Sequence, residues 1–309
     1  MSNPFGNIPL GGGAPANFNA AAGSATGTTF LTQTTSGLSA MGQRIVISGV
    51  EKVGKTTFSC MSPRPILVPL EIGYAAMPVA KIPMLTSYEQ VMGFLKEVKQ
   101  ACMNNVFPYM TIVFDSASAL ERLIHDAVLR RDPAYHNKNA KALTMEAALG
   151  GYGKAYQFAN ELFDDFTKAC DELAIYGKIN IVITCHVFAA KVIDPAYGEY
   201  DTWDLLLHSP KNQKNYGKRE MITQWADMVG FLHEPMFVTK AEGDTLSRAT
   251  SMNRGRVLAV DRQPGYVAGN RYGIGGLIPI PAPPELGWNS LANAIYNASR
   301  GAIDVFNRD

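Results

Sequence analysis

Between positions 49 and 56 the chain reads Gly49-Val50-Glu51-Lys52-Val53-Gly54-Lys55-Thr56, followed by Thr57. A glycine, four variable residues, then Gly-Lys-Thr lets a backbone turn successive N–H groups inward onto phosphate oxygens. The helix expected to open near Lys55 adds its positive end. Lys55 then reaches the outer phosphates of a nucleoside triphosphate, and the Thr56 hydroxyl ligates magnesium. Gly49 to Thr57 form the expected binding set for ATP, with Lys52 read as a solvated charge.

A magnesium–phosphate site also needs a carboxylate from a neighbouring strand. "TIVFDS" supplies Asp115 after Ile112-Val113-Phe114; the competing role is a strand-end cap. No second acidic residue follows Asp115, so the group that orients the attacking water must come from elsewhere. Glu71 closes "PILVPLE" and is the candidate base, against the alternative of a glutamate in a surface turn. "INIVITCH" ends in Thr184, Cys185 and His186, at the carboxyl edge where ligands collect in open α/β sheets. His186 is the candidate sensor of the outermost phosphate, against a structural core or turn histidine.

These residues require a scaffold of strands feeding helices. "RIVISG" predicts a strand before the glycine loop and "KTTFSCM" a helix after it. "PILVPLE" is a second strand, and "TSYEQVMGFLKEVKQACM" a helix capped by Thr86 or Ser87. "YMTIVFDS" and "INIVITCHV" are further strands, with a mostly helical stretch between them broken at "ALGGYGKAY". "KVIDPAYGEYDTWDLLLHSPKNQKNYGKRE" predicts a hairpin or mobile loop, and "EMITQWADMVGFLHE" a helix running into a strand. "MFVTKA" and "GRVLAVDRQ" are expected to extend the sheet antiparallel. Alternation of this kind predicts an α/β fold with a mainly parallel sheet and helices on both faces.

With 309 residues and 47% hydrophobic content the chain can bury a large core. Its formal net charge of +1 supplies no global attraction to nucleic acid or membrane. The four cysteines form neither a CxxC pair nor a zinc-like cluster. No apolar run is long enough to span a bilayer, and the basic and apolar regions of a secretory signal are missing; the expectation is a cytoplasmic protein without membrane contact. Residues 1–42 carry no charge and are rich in Gly, Ala, Asn, Ser and Thr, which predicts a disordered tail. An ATPase domain over 43–286 and a C-terminal helix over 287–309 complete the expected organisation.

The set Gly49 to Thr56, Glu71, Asp115 and His186 resembles the RecA-like recombinases. The later Trp225-Ala226-Asp227, with Asn270 to Gly273, resembles phage-encoded ATP-binding proteins related to RecA-like single-strand-annealing ATPases. The resemblance spans about Arg44 to Pro284 and implies a RecA-like core that binds single-stranded DNA in an ATP-dependent way. "VPLE" stands where the group usually carries a more acidic segment, which implies slow hydrolysis. Such ATPases act as rings or filaments, so a homo-oligomer is implied, with a neighbour donating Lys240, Arg248, Arg254 or Arg256 to the phosphate. Two stretches combine cations with aromatic faces for DNA: Tyr200, Trp203, Lys211, Lys214, Tyr216, Lys218 and Arg219 in one, Arg131, Tyr135, Lys138, Lys141 and Tyr152 in the other. The alternatives are a nucleotide-switched binder without turnover and a small-molecule kinase.

Overall fold

Val46, Ile66, Ile112 and Ile181 fall in one apolar cluster, while their neighbours Ile45, Leu67, Val113 and Val182 fall in another. Side chains alternate across a strand, so runs that are apolar at every position are buried on both faces. That pattern forces a sheet sandwiched between helical layers. A computed structural model of the chain describes residues 41–136, 143–196, 198–210, 217–239, 248–251, 255–281 and 285–308, with backbone alone for 236–239 and 248–251.

The elements run β1 (Arg44–Gly49), α1 (Lys55–Ser59), β2 (Pro65–Pro69), β3 (Ala80–Lys81), α2 (Tyr88–Met103), β4 (Thr111–Asp115), α3 (Ala117–Leu129), α4 (Lys154–Tyr176), β5 (Asn180–Asp194), β6 (Gly198–Leu205) and α5 (Lys218–Trp225). They continue as β7 (Met228–His233), β8 (Met236–Thr239), β9 (Arg248–Ser251), β10 (Arg256–Ala259), β11 (Gly269–Asn270), β12 (Leu277–Ile280) and α6 (Gly287–Ala298). The central sheet has the order β12-β10-β7-β1-β5-β4-β2-β3, with β11 paired to β7 and β6 to β5. From β7 across to β3 the pairings are parallel; β10, β11 and β12 join antiparallel at the C-terminal side. The expected mixed α/β architecture is therefore present.

One expected strand lies elsewhere. Among the described residues Met236–Thr239, the start of "MFVTKA", pairs with β9 in a separate two-stranded sheet and not with the central one. Pro235, which cannot donate to a ladder, stands between it and β7. The expected cap of α2 is Ser87, whose hydroxyl accepts from the Gln90 amide.

Helix α6 belongs to the same compact unit as the sheet, residues 38–309. Its Trp288 is fully buried, with the ring 5.4 Å from Phe58 of α1, and its indole N–H donates to the Val305 carbonyl. The hydrophobic contribution of one such aromatic is about 2–3 kcal/mol.

At the amino-terminal edge of the sheet, Arg44 ties β1 to α4, α5 and the turn between α5 and β7. Its guanidinium donates to Asp227 at 2.7 and 3.0 Å and to Asp171 of α4 at 2.9 Å, and lies over the Trp225 ring. Trp225 donates to the same Asp171, and Arg271 adds a second cation on Asp227. Asn270 accepts from the Tyr272 and Ile274 amides, and Tyr272 donates to Gln43. The Trp-Ala-Asp and Asn-Arg-Tyr-Gly motifs thus form a polar clamp at the sheet edge opposite the phosphate loop.

Candidate functional site

Gly49 ends β1 and Lys55 begins α1, so the glycine loop is the turn between them. Gly54 has φ 97°, in the left-handed region that favours glycine. A Cβ there would lie 2.1 Å from Arg256 Nη1, and one at Gly49 2.4 Å from the Leu232 carbonyl oxygen. Backbone leaves no room for a side chain at Gly49, whereas at Gly54 the guanidinium could swing aside and the positive φ is what favours glycine.

Lys55, Thr56, Glu71, Asp115 and His186 come together around one cavity of about 310 Å³, with Lys52, Gly54 and Thr57 on its wall. Lys55 is almost completely buried, and its ammonium donates to the Gly49 and Val50 carbonyls at 2.9 Å each. Burial lowers its pKa, against the opposing pull of Asp115. Val50, Glu51, Lys52 and Val53 line a neighbouring cavity instead, so the loop separates two hollows that share Lys52.

Asp115 ends β4 with both carboxylate oxygens engaged. Thr56 donates to Oδ2 at 2.9 Å, and Thr184 to Oδ1 at 2.5 Å. Helix α3 is capped by Ser116, which accepts from Ala119, so Asp115 is free of the capping role. Strand β5 lies between β1 and β4, which places Thr184 and His186 between the lysine and the aspartate. A hydroxyl and a carboxylate in contact suit magnesium, which takes one or two protein oxygens together with phosphates. Among the described residues no cluster of three or more His, Cys, Asp or Glu offers a protein-only metal cage.

Glu71 lies in the turn after β2 and faces the cavity. His186 Nε2 donates to its Oε1 at 2.8 Å, and Arg122 of α3 to its Oε2 at 3.0 Å. The His186 hydrogen bond, helped by Ser116 and Arg122, holds the carboxyl down at about 2 although burial pushes it up. Arg122 is not among the expected site residues, and Thr184 is expected at the carboxyl edge of the sheet but with no role there. Arg122 lies 51 positions from Glu71, and nothing in its local pattern distinguishes it from other helix cations.

The remaining cations are placed unevenly. Arg256, expected to serve a neighbouring subunit, lies against Gly54 of its own chain because β10 sits next to β7 in the sheet. Lys240 and Arg254 fall outside the described residues, as do Lys138, Lys141, Lys211, Lys214 and Tyr216; of Arg248 only the backbone is described. Lys218 is completely buried beside Glu121 and His125, so it is not a surface cation for DNA. Arg219 is spent on Asp204 and Glu220. Tyr135 and Tyr152 are exposed, at 40% and 97%, as is Arg131. Strand β5 continues past His186 into an antiparallel hairpin with β6 that carries Tyr200 and Trp203.

No helix among the described residues is long and apolar enough to cross a membrane. A comparison with curated proteins found no match. Residues 41–272 match the family model described as AAA domain, from the strand that leads into the phosphate loop to the Arg271-Tyr272 turn that clamps it. That span covers most of the chain, and the chain belongs to this AAA-domain family of P-loop nucleoside triphosphatases.

Proposed function

We propose that the chain is a magnesium-dependent ATPase whose turnover is coupled to single-stranded DNA and which acts as a homo-oligomer. The observation that supports hydrolysis is the Glu71 carboxylate, held 2.8 Å from His186 in the cavity that Lys55, Thr56 and Asp115 share.

The loop amides and Lys55 bind the phosphates. Thr56 and Asp115 would hold magnesium, which supplies charge neutralisation at the β- and γ-oxygens when bound. Glu71 orients the attacking water and accepts its proton. A carboxyl held at about 2 is a weak base. A γ-phosphate entering the cavity competes for His186 and Arg122, and each hydrogen-bond donor drawn away makes Glu71 more basic. The base is therefore released by the substrate it acts on.

Coupling to DNA is supported by the continuity of β5, which carries His186 at the site and then becomes the exposed hairpin. The same Glu71 pairing also favours a second reading, in which the carboxylate stays latched and nucleotide occupancy switches DNA affinity without turnover. Steady-state phosphate release, measured with and without a single-stranded oligonucleotide, tests the proposal. Stimulation by the strand is expected; no phosphate release under either condition would establish the switch instead.

A further inference from the structure

On the other side of the phosphate loop lies a cavity of about 520 Å³, within the range of small-ligand sites. Val50, Glu51, Lys52 and Val53 form its floor, and Trp203, Phe231, His233 and Glu234 its walls. The aromatic rings are ordered. Tyr266 stacks on Phe231 at 5.1 Å with 14° between planes, and Phe231 on His233 at 5.3 Å with 24°. Trp203, 39% exposed, is brought to this pile by backbone hydrogen bonds between β6 and the loop that carries Tyr266.

Three features define what fits. A series of near-parallel rings sets a plane in which a further flat ring stacks. Glu51 and Glu234 put two carboxylates on the lining against one cation, Lys52, which repels phosphate and accepts from amino and ring N–H groups. His233 donates through Nδ1 to the Glu234 carbonyl at 3.3 Å, which holds its ring in the stack, while Nε2 is buried and unpartnered. Burial lowers the His233 pKa and keeps the ring neutral. A flat, amino-bearing heterocycle linked to phosphates that lie elsewhere meets all three.

We propose that this cavity is a nucleobase-stacking site, with Trp203 as its outer face. The inference rests on the neighbouring cavity being the triphosphate site, since Lys52 belongs to both. The base comes either from a single strand passing over the hairpin or from the bound nucleotide itself.

The full-length chain and its Trp203→Ala and Trp203→Phe variants are titrated with a cytosine oligonucleotide, with ATP, and with inorganic tripolyphosphate, all with magnesium. Trp203→Ala should weaken one base-bearing ligand by about tenfold, the loss of one stacked base. Trp203→Phe should retain most of the affinity, and tripolyphosphate binding should not change. Loss confined to the oligonucleotide identifies a strand's base, and loss confined to ATP the nucleotide's own. Wild-type affinity of Trp203→Ala for both overturns the site.

Should that variant fail to fold, quenching of indole emission on ligand addition decides. It should appear in the wild type and disappear in Trp203→Phe, and equal quenching in the two overturns the proposal. Lost hydrolysis in Glu71→Gln beside unchanged binding in Trp203→Ala removes this cavity alone. Unchanged hydrolysis in Glu71→Gln beside weakened binding in Trp203→Ala removes the catalytic reading alone.

Discussion

His186 Nε2 sits 2.8 Å from Glu71 Oε1, joining a residue in the turn after β2 to one midway along β5 across the intervening strand β4. Those residues are 115 positions apart in the chain. Their contact exists because the parallel ladders joining β2, β4 and β5 finish at neighbouring levels, with Pro69 paired to Asp115 and Phe114 to Ile183, just before Glu71 and His186.

Replacing Glu71 by Gln preserves shape and removes the proton acceptor. Turnover should fall by about 100-fold or more, the usual worth of a positioned base, while nucleotide affinity stays within a few-fold of wild type. Phosphate-release kinetics and a nucleotide titration measure the two quantities separately. Unchanged turnover would remove Glu71 from the mechanism.

Lys55→Ala strips the buried ammonium from the phosphate loop. Nucleotide affinity should drop at least about tenfold, the scale of one lost charge-assisted contact, as read by isothermal calorimetry. Chelating magnesium from the wild type should abolish turnover, since Thr56 and Asp115 alone leave the phosphate charge unneutralised.

Asp227→Ala leaves Arg44, only 14% exposed, without its main partner. Breaking such a half-buried pair should cost about 3 kcal/mol, seen as a lower midpoint in urea. Folded Asp227→Ala should bind nucleotide like wild type, because the clamp lies at the opposite sheet edge. A loss of affinity in the fully folded variant would contradict that separation.

His125 lies partly buried beside Lys218, with His208 and the carboxylates of Glu121 and Glu146 in the same cluster. Burial, followed by the Lys218 charge, lowers its pKa to about 3. Between about pH 6.5 and 3 the unfolded chain carries a proton there that the folded chain does not, so stability falls as pH falls through that window. His125→Gln should remove up to about 1.4 kcal/mol per pH unit of that slope, measurable as a flatter dependence of Tm on pH.

Local chemistry made much of the fold legible. The β-branched runs, the Ser87 cap and the strand-to-helix passage at Gly49 to Lys55 follow from near-neighbour pattern. Pattern identified Met236–Thr239 as a strand but not the sheet it joins, since pairing depends on where Pro235 sends the chain. Contacts across many residues were not legible: Thr184 on Asp115, Arg122 on Glu71, and Arg256 on Gly54 all depend on strand order. Lys218 counted as surface charge for a related reason, because composition registers a cation and not the hollow that receives it.

The register of β5 has a mechanical corollary. Its last parallel partner on β1 is Gly49, paired with His186, and its next residue, Val187, is already paired with Leu205 of β6. No joint separates these two ladders. The strand that forms the hairpin is thus the same unbroken strand that lies beside the first glycine of the phosphate loop, so a load tilting the one would bear directly on the other.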